Sequence, residues 1–289
     1  MGWVFVLLGL AICCAWLPGF VVRGTEVPAW GPPFVLAVLL GVWFRVVTWP
    51  GLLAMAALIV SARLSLTESR PLARHALTAL ALAVALALAL HLAPGFDNPK
   101  LFDAIRLSGD AAPFTQYLNF DKGAAGLVLL WAYCARATSM VELRRVLRVS
   151  VPIAAATTVA VMALGLALGY ARPDPKVPEL AFAFLATNLL FTCVAEEAFF
   201  RGFLQERITR LAGDRPSWRW LPPVVSALLF GLAHASAGST YLALATAAGL
   251  GYSIAYATTR RIEAAVIVHF AVNATQFLGF TYPYLARVS

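Results

Sequence analysis

The chain has 289 residues, of which 61% are hydrophobic and only 12% charged, and its mean hydropathy is +0.80. A soluble domain is nearer half apolar and a quarter charged, so these proportions exclude an ordinary soluble enzyme and indicate an integral membrane protein. The formal net charge of +8 reads as basic loops flanking membrane spans, not as a nucleic-acid surface; the lipid bilayer is the expected partner and nucleic acid is not.

Runs of Leu, Ala, Val and Phe, each about 20 residues long, recur along the chain, and such a run crosses about 30 Å of hydrocarbon as a helix. A β-barrel would show shorter alternating segments. The expected fold is therefore all-α, a polytopic transmembrane helix bundle of about 8–10 spans. In chain order the candidate spans are 3–20, 33–63, 73–93, 123–138, 150–170, 179–203, 221–236, 239–258 and 262–282. The first has no basic start and no small-residue cleavage site, so it reads as a retained span rather than a removed signal. Its Leu10-Ala-Ile-Cys13 departs from a lipoprotein signal at Ile12, and the C-terminus carries no lipidation motif. The second contains Arg45 and Pro50 and is either one kinked helix or two short ones. Cys13, Cys14, Cys134 and Cys193 all fall in apolar runs and read as small hydrophobes, not as a disulfide or zinc framework.

Residues 76–92 are nearly all Ala, Leu and Val, a packing helix whose His91 reads as an interfacial, satisfied histidine. In the polar stretch 94–122, Leu101, Phe102, Ile105 and Leu107 suggest an amphipathic turn lying on the membrane, and residues 138–149 suggest a second on the cytoplasmic side. Basic residues set the sidedness. If Arg136, Arg144, Arg145 and Arg148 are cytoplasmic, alternation also places inside Arg63, Arg70, Arg74, Arg207, Arg210, Arg215, Arg219, Arg260 and Arg261. The smaller set Arg23, Lys100, Arg106, Lys122, Arg172, Lys176 and Arg287 falls outside. This bias favours one kinked second span with a cytoplasmic N-terminus.

The polar residues of the second half carry the functional signal. Glu196 and Glu197 interrupt the apolar run from Leu190 to Phe200, although a carboxylate in hydrocarbon costs several kcal/mol unless paired, solvated or protonated. Glu197 and Arg201 are four apart and on an α-helix share a face; Glu196 points about 100° away, which leaves it for a polar cavity. Phe230-Gly-Leu-Ala-His234 places one imidazole in an apolar helix, and His269-Phe-Ala-Val-Asn273 places two polar groups one turn apart. An unpaired carboxylate, two histidines and an asparagine are groups that activate water and stabilise an oxyanion. Counted from the expected boundaries, Glu196 and His269 lie about seven residues, roughly 10 Å, into their spans and His234 about thirteen, roughly 20 Å. This mismatch eases if Pro222 and Pro223 start their helix outside the hydrocarbon.

Glu-Glu-x-x-x-Arg, Phe-x-x-x-His and His-x-x-x-Asn, in that order over residues 179–282, resemble the CPBP family, the CAAX-protease and bacteriocin-processing (Abi) group of intramembrane proteases. Phe120-Asp-Lys122 is similar to bacterial members linked to C-terminal protein-sorting systems. The resemblance implies residues 150–289 as a protease core behind an N-terminal membrane region 1–149. It implies hydrolysis of a peptide bond in a membrane-associated protein or peptide, near the C-terminus. Glu196 would be general base, His234 would orient the water, and His269 and Asn273 would bind the oxyanion. Glu197, Arg201 and Phe230 would support them. A divalent metal such as zinc on Glu196, His234 and His269, or no cofactor at all, both fit these residues. The Ala/Leu/Arg-rich composition suggests a bacterial cytoplasmic membrane, where a sorting tail or peptide precursor is a more natural substrate than a prenylated protein. A non-catalytic immunity or scaffold protein and a proton-coupled transporter use the same residue types and stand as alternatives.

Overall fold

The computed structural model describes residues 1–213 and 216–286; Arg215, Arg287 and the C-terminal end considered above lie outside the described residues. The helices are α1 (Gly2–Cys14), α2 (Gly31–Trp43), α3 (Trp49–Thr67), α4 (Pro71–Ala89), α5 (Phe120–Tyr133), α6 (Met140–Ala167), α7 (Ala181–Ala212), α8 (Leu221–Ala233), α9 (Ser239–Thr259) and α10 (Ile262–Gly279). Among the described residues α3, α4, α6, α7 and α10 are long and apolar enough to cross a membrane. The polytopic helical bundle is thus present. Its only sheets among the described residues are two small hairpins, β1 (Phe20–Val22) with β2 (Thr25–Val27) and β3 (Lys100–Ile105) with β4 (Phe114–Tyr117). In the first, Phe20 pairs with Val27 and Val22 with Thr25, and Arg23 and Gly24 turn the chain with positive φ.

The expected kinked second span is two helices. Pro50 has no N–H to give to an upstream turn but fits the first turn of a new helix, and it stands there in α3. Between α2 and α3, Arg45 takes a left-handed conformation and Thr48 donates its backbone N–H to Gly95 O. The break removes the single kinked span on which the sidedness was counted. α1 and α2, at 13 residues each, are about 20 Å long, short of a full crossing.

The chain divides into two compact units. The first comprises Met1–Lys100, Tyr117–Cys134 and Leu190–Ala198. Here α5 packs against α1, α3, α4 and the turn Val194–Glu197 of α7. Its Phe120, Leu127 and Leu130 are fully buried. Gly126 makes the approach to α7 possible: a Cβ there would come 2.6 Å from the Cα of Ala195, so only glycine lets the two backbones touch.

The second unit comprises Leu101–Gln116, Ala135–Leu189 and Phe199–Ser289. In it α9 packs against α6, α8 and α10, and α10 also against α6. Of the residues expected to lie on the membrane as an amphipathic turn, Leu101, Phe102 and Ile105 fall in strand β3 instead, and Leu107 follows it. Phe102 is buried in a cluster with Ala181, Phe184 and Phe277, where the rings of Phe184 and Phe277 stack at 3.7 Å. Burying Phe102 against aromatic partners satisfies it better than a lipid headgroup layer could. The second expected surface helix, 138–149, is the start of α6, capped by Ser139, whose Oγ accepts the Glu142 N–H at 3.1 Å.

Candidate active site

Glu196 and Glu197 occupy a single α turn, Val194–Glu197, set between wide turns of i→i+5 type at Asn188–Cys193 and Ala198–Gln205. Such π turns are rare and concentrate at functional sites. They alter the local twist of the helix on either side of the two carboxylates. They also belong to a longer helix than the sequence suggested. Glu196 lies 15 residues from Ala181 and 16 from Ala212, the middle of α7 rather than seven residues from its end.

Within the first unit Glu196 is held by a lysine. Lys122 Nζ donates to Glu196 Oε1 at 2.7 Å, with both side chains mostly buried. The carboxylate expected to face a cavity without a charged partner therefore has one, from the first turn of α5. That turn is itself pinned. Asp121, 1% exposed, meets His91 Nδ1 at 2.7 Å and accepts from Asn98 Nδ2 at 3.0 Å. The backbone N–H of Lys122 donates to Asp121 Oδ1, and that of Phe120 to Asn98 Oδ1. His91 is thus the satisfied histidine that the sequence suggested.

Within the second unit the histidines are held by aromatic rings around a buried cation. Arg201 is fully buried. Its guanidinium donates to Gly249 O at 2.9 Å and lies over the rings of Phe230 and Tyr252, 4.6 and 5.2 Å from their centres. The same two rings carry the imidazoles. Phe230 contacts His234 at 4.6 Å and His269 edge-on at 5.7 Å, and Tyr252 stacks on His269 at 4.5 Å. His234 and His269, on different helices, thus share one packing partner. Pro222 and Pro223 do stand in the first turn of α8.

His234 is the residue at which α8 stops. Its Nδ1 lies 2.8 Å from Phe230 O. A carbonyl oxygen only accepts, so Nδ1 carries the proton and Nε2 the lone pair of the neutral ring. Asn273, four residues after His269 on α10, donates Nδ2 to Asn188 Oδ1 at 3.2 Å. Glu197 is fully buried. Among the described residues no three His, Cys, Asp or Glu side chains stand close enough together to hold a metal ion. Cys134 and Cys193 are buried as expected, whereas Cys13 is exposed and Cys14 half-buried, and all four are free thiols.

Three participants were not picked out from the sequence. Lys122 was legible as a charge opening an apolar run but was assigned to an outside loop. Asn188 was legible as an amide inside an apolar helix. Tyr252 carries no signal that separates it from the other aromatics.

Residues 178–275 match the family model described as Type II CAAX prenyl endopeptidase Rce1-like. The matched stretch contains Glu196, Glu197, Arg201, Phe230, His234, His269 and Asn273 but not Lys122. No curated protein and no solved structure matches the chain.

Proposed function

We propose, from the match of residues 178–275 to the CAAX-protease (CPBP) family of intramembrane proteases, that the protein cleaves a membrane-anchored protein or peptide near its C-terminus by glutamate-activated water. The protease core is 150–289 and the setting a bacterial cytoplasmic membrane. Glu196 takes a proton from the water as its oxygen attacks the scissile carbonyl carbon. His234 accepts a hydrogen bond from that water at Nε2 and orients it. His269 and Asn273 donate to the oxyanion of the tetrahedral intermediate. As the C–N bond breaks, the proton passes from Glu196 to the leaving amine. Glu197, Arg201 and Phe230 hold the helices that carry these groups.

The observation that carries this reading is the shared support of the two histidines. Packing both on Phe230, with His234 held in one tautomer by a backbone carbonyl, is the fixed geometry that acid–base and oxyanion chemistry need. Cells carrying wild-type protein or Glu196→Gln are compared for the C-terminal peptides of their membrane proteins by mass spectrometry. Cleavage is expected to vanish in the variant while its expression and membrane insertion persist; wild-type cleavage by Glu196→Gln would sink the reading. With a substrate so identified, cleavage by the purified protein is expected to survive exhaustive chelation. Loss of activity that zinc restores would replace the metal-free form with a metalloprotease.

A further inference from the structure

We propose that Lys122 is a positioning residue for Glu196: it keeps the carboxylate ionised and aimed, and Asp121 in turn fixes Lys122 by anchoring the first turn of α5. This rests on the reading of Glu196 as the base. It gives the first 149 residues, which lie outside the matched stretch, a share in the chemistry.

The physical need is plain. A carboxylate in the middle of an apolar span tends to protonate, and a protonated glutamate cannot take a proton from water. An opposite charge in direct contact restores the ionised form. Lys122 supplies it at 2.7 Å, where its side chain is 17% and that of Glu196 14% exposed, so bulk water screens the pair little. Lys122 supplies charge and position; the proton that moves is the one on Glu196.

The contact is also built rather than incidental. Lysine is flexible, so its position has to come from the backbone. Asp121 ties that backbone to His91 and Asn98, 30 and 23 residues away in sequence. Gly126, one turn further on, lets α5 touch Ala195 next to Glu196. On the elements that carry the pair, the other ionisable groups are Glu197 and Cys193 in the stretch 190–198 of α7, Asp121 and Tyr133 on α5, and His91, which follows α4 and meets Asp121. Arg63 of α3 and Arg74 and His75 of α4 are exposed, and α1 contributes only Cys13 and Cys14.

The test separates this role from simple charge balance. Glu196 is titrated by isotope-edited infrared spectroscopy in the purified, membrane-reconstituted protein, with Glu196→Gln identifying its band. In Lys122→Met the carboxylate-to-acid transition is expected to move up by about one pH unit or more, and in Lys122→Arg to stay near wild type. Cleavage of the C-terminal peptides defined above is expected to fall at least about 10-fold in Lys122→Met, to recover as pH is raised, and to be largely rescued by Lys122→Arg. An unmoved band, or wild-type cleavage in Lys122→Met, overturns the proposal. If Lys122→Met fails to fold, Lys122→Gln is titrated in its place by the same criterion. Should Glu196→Gln keep wild-type cleavage, the reading of Glu196 as base fails, and the infrared shift still decides whether Lys122 governs its ionisation.

Discussion

The carboxylate and the imidazoles of this protein are held by opposite means. In the first unit Glu196 meets the charge of Lys122, which stands on a helix turn pinned by Asp121. In the second unit His234 and His269 are held by ring faces shared with Arg201, through Phe230 and Tyr252. A single ion pair is lost with one substitution and is sensitive to electrostatics. An aromatic cage spreads its load over several contacts and responds to shape.

The strongest way to break the contrast is Phe230→Ala. It removes the ring that meets Arg201, His234 and His269, and should cost about 3–5 kcal/mol, read as a drop in thermal unfolding midpoint of the purified protein, with cleavage lost as well. A cost under about 1 kcal/mol would show that Tyr252, with the Phe200 ring 5.7 Å from the Arg201 guanidinium, sustains the cage alone. Gly126→Val comes next. Its side chain would occupy the place of Ala195, costing about 1–3 kcal/mol and parting Lys122 from Glu196, so cleavage should fall even at temperatures where the protein stays folded. Retained cleavage would mean that the close approach of the helices does not serve the pair.

Asp121→Asn keeps the side-chain volume and should be milder, about 1 kcal/mol, because it replaces a carboxylate partner of His91 with an amide. Its cleavage should fall in step with any loosening of Lys122, and wild-type cleavage would detach Asp121 from the positioning role. The smallest effect concerns the second unit's extramembrane acids. The guanidinium of Arg172 lowers the pKa of Asp110, and hydrogen bonds from Ser108 and Lys176 lower that of Asp174. Groups depressed on folding stabilise above their unfolded pKa, about 3.9 for Asp, and that stabilisation is lost as pH falls through the folded values. The unfolding midpoint of Asp110→Asn/Asp174→Asn should therefore lie slightly below wild type at pH 7, with the gap closing as pH falls below about 4. A gap that persists unchanged would assign the effect to something other than ionisation.

Much of the bundle could be read directly, because hydrophobic runs of span length and the prolines at helix starts are local properties. The three motifs were legible for the same reason: Phe230 with His234, and His269 with Asn273, lie one turn apart on single helices. Where the sequence reading went astray, a partner lay far along the chain. The separation of α2 and α3 is stabilised by Gly95, and β3 is drawn from a membrane-surface turn into a strand by Phe184 and Phe277.

The sequence by itself determined a helical membrane protein with a Glu/His/His/Asn constellation, since composition and helical period need no knowledge of neighbours. Only the tertiary structure decided what holds that constellation. Lys122 reaches Glu196 across 74 residues of sequence, and Phe230 serves two histidines on different helices. The physical reason is that a buried charge or ring is satisfied by what packs against it, and packing between distant segments is set by the close approach of backbones, as at Gly126 and Ala195.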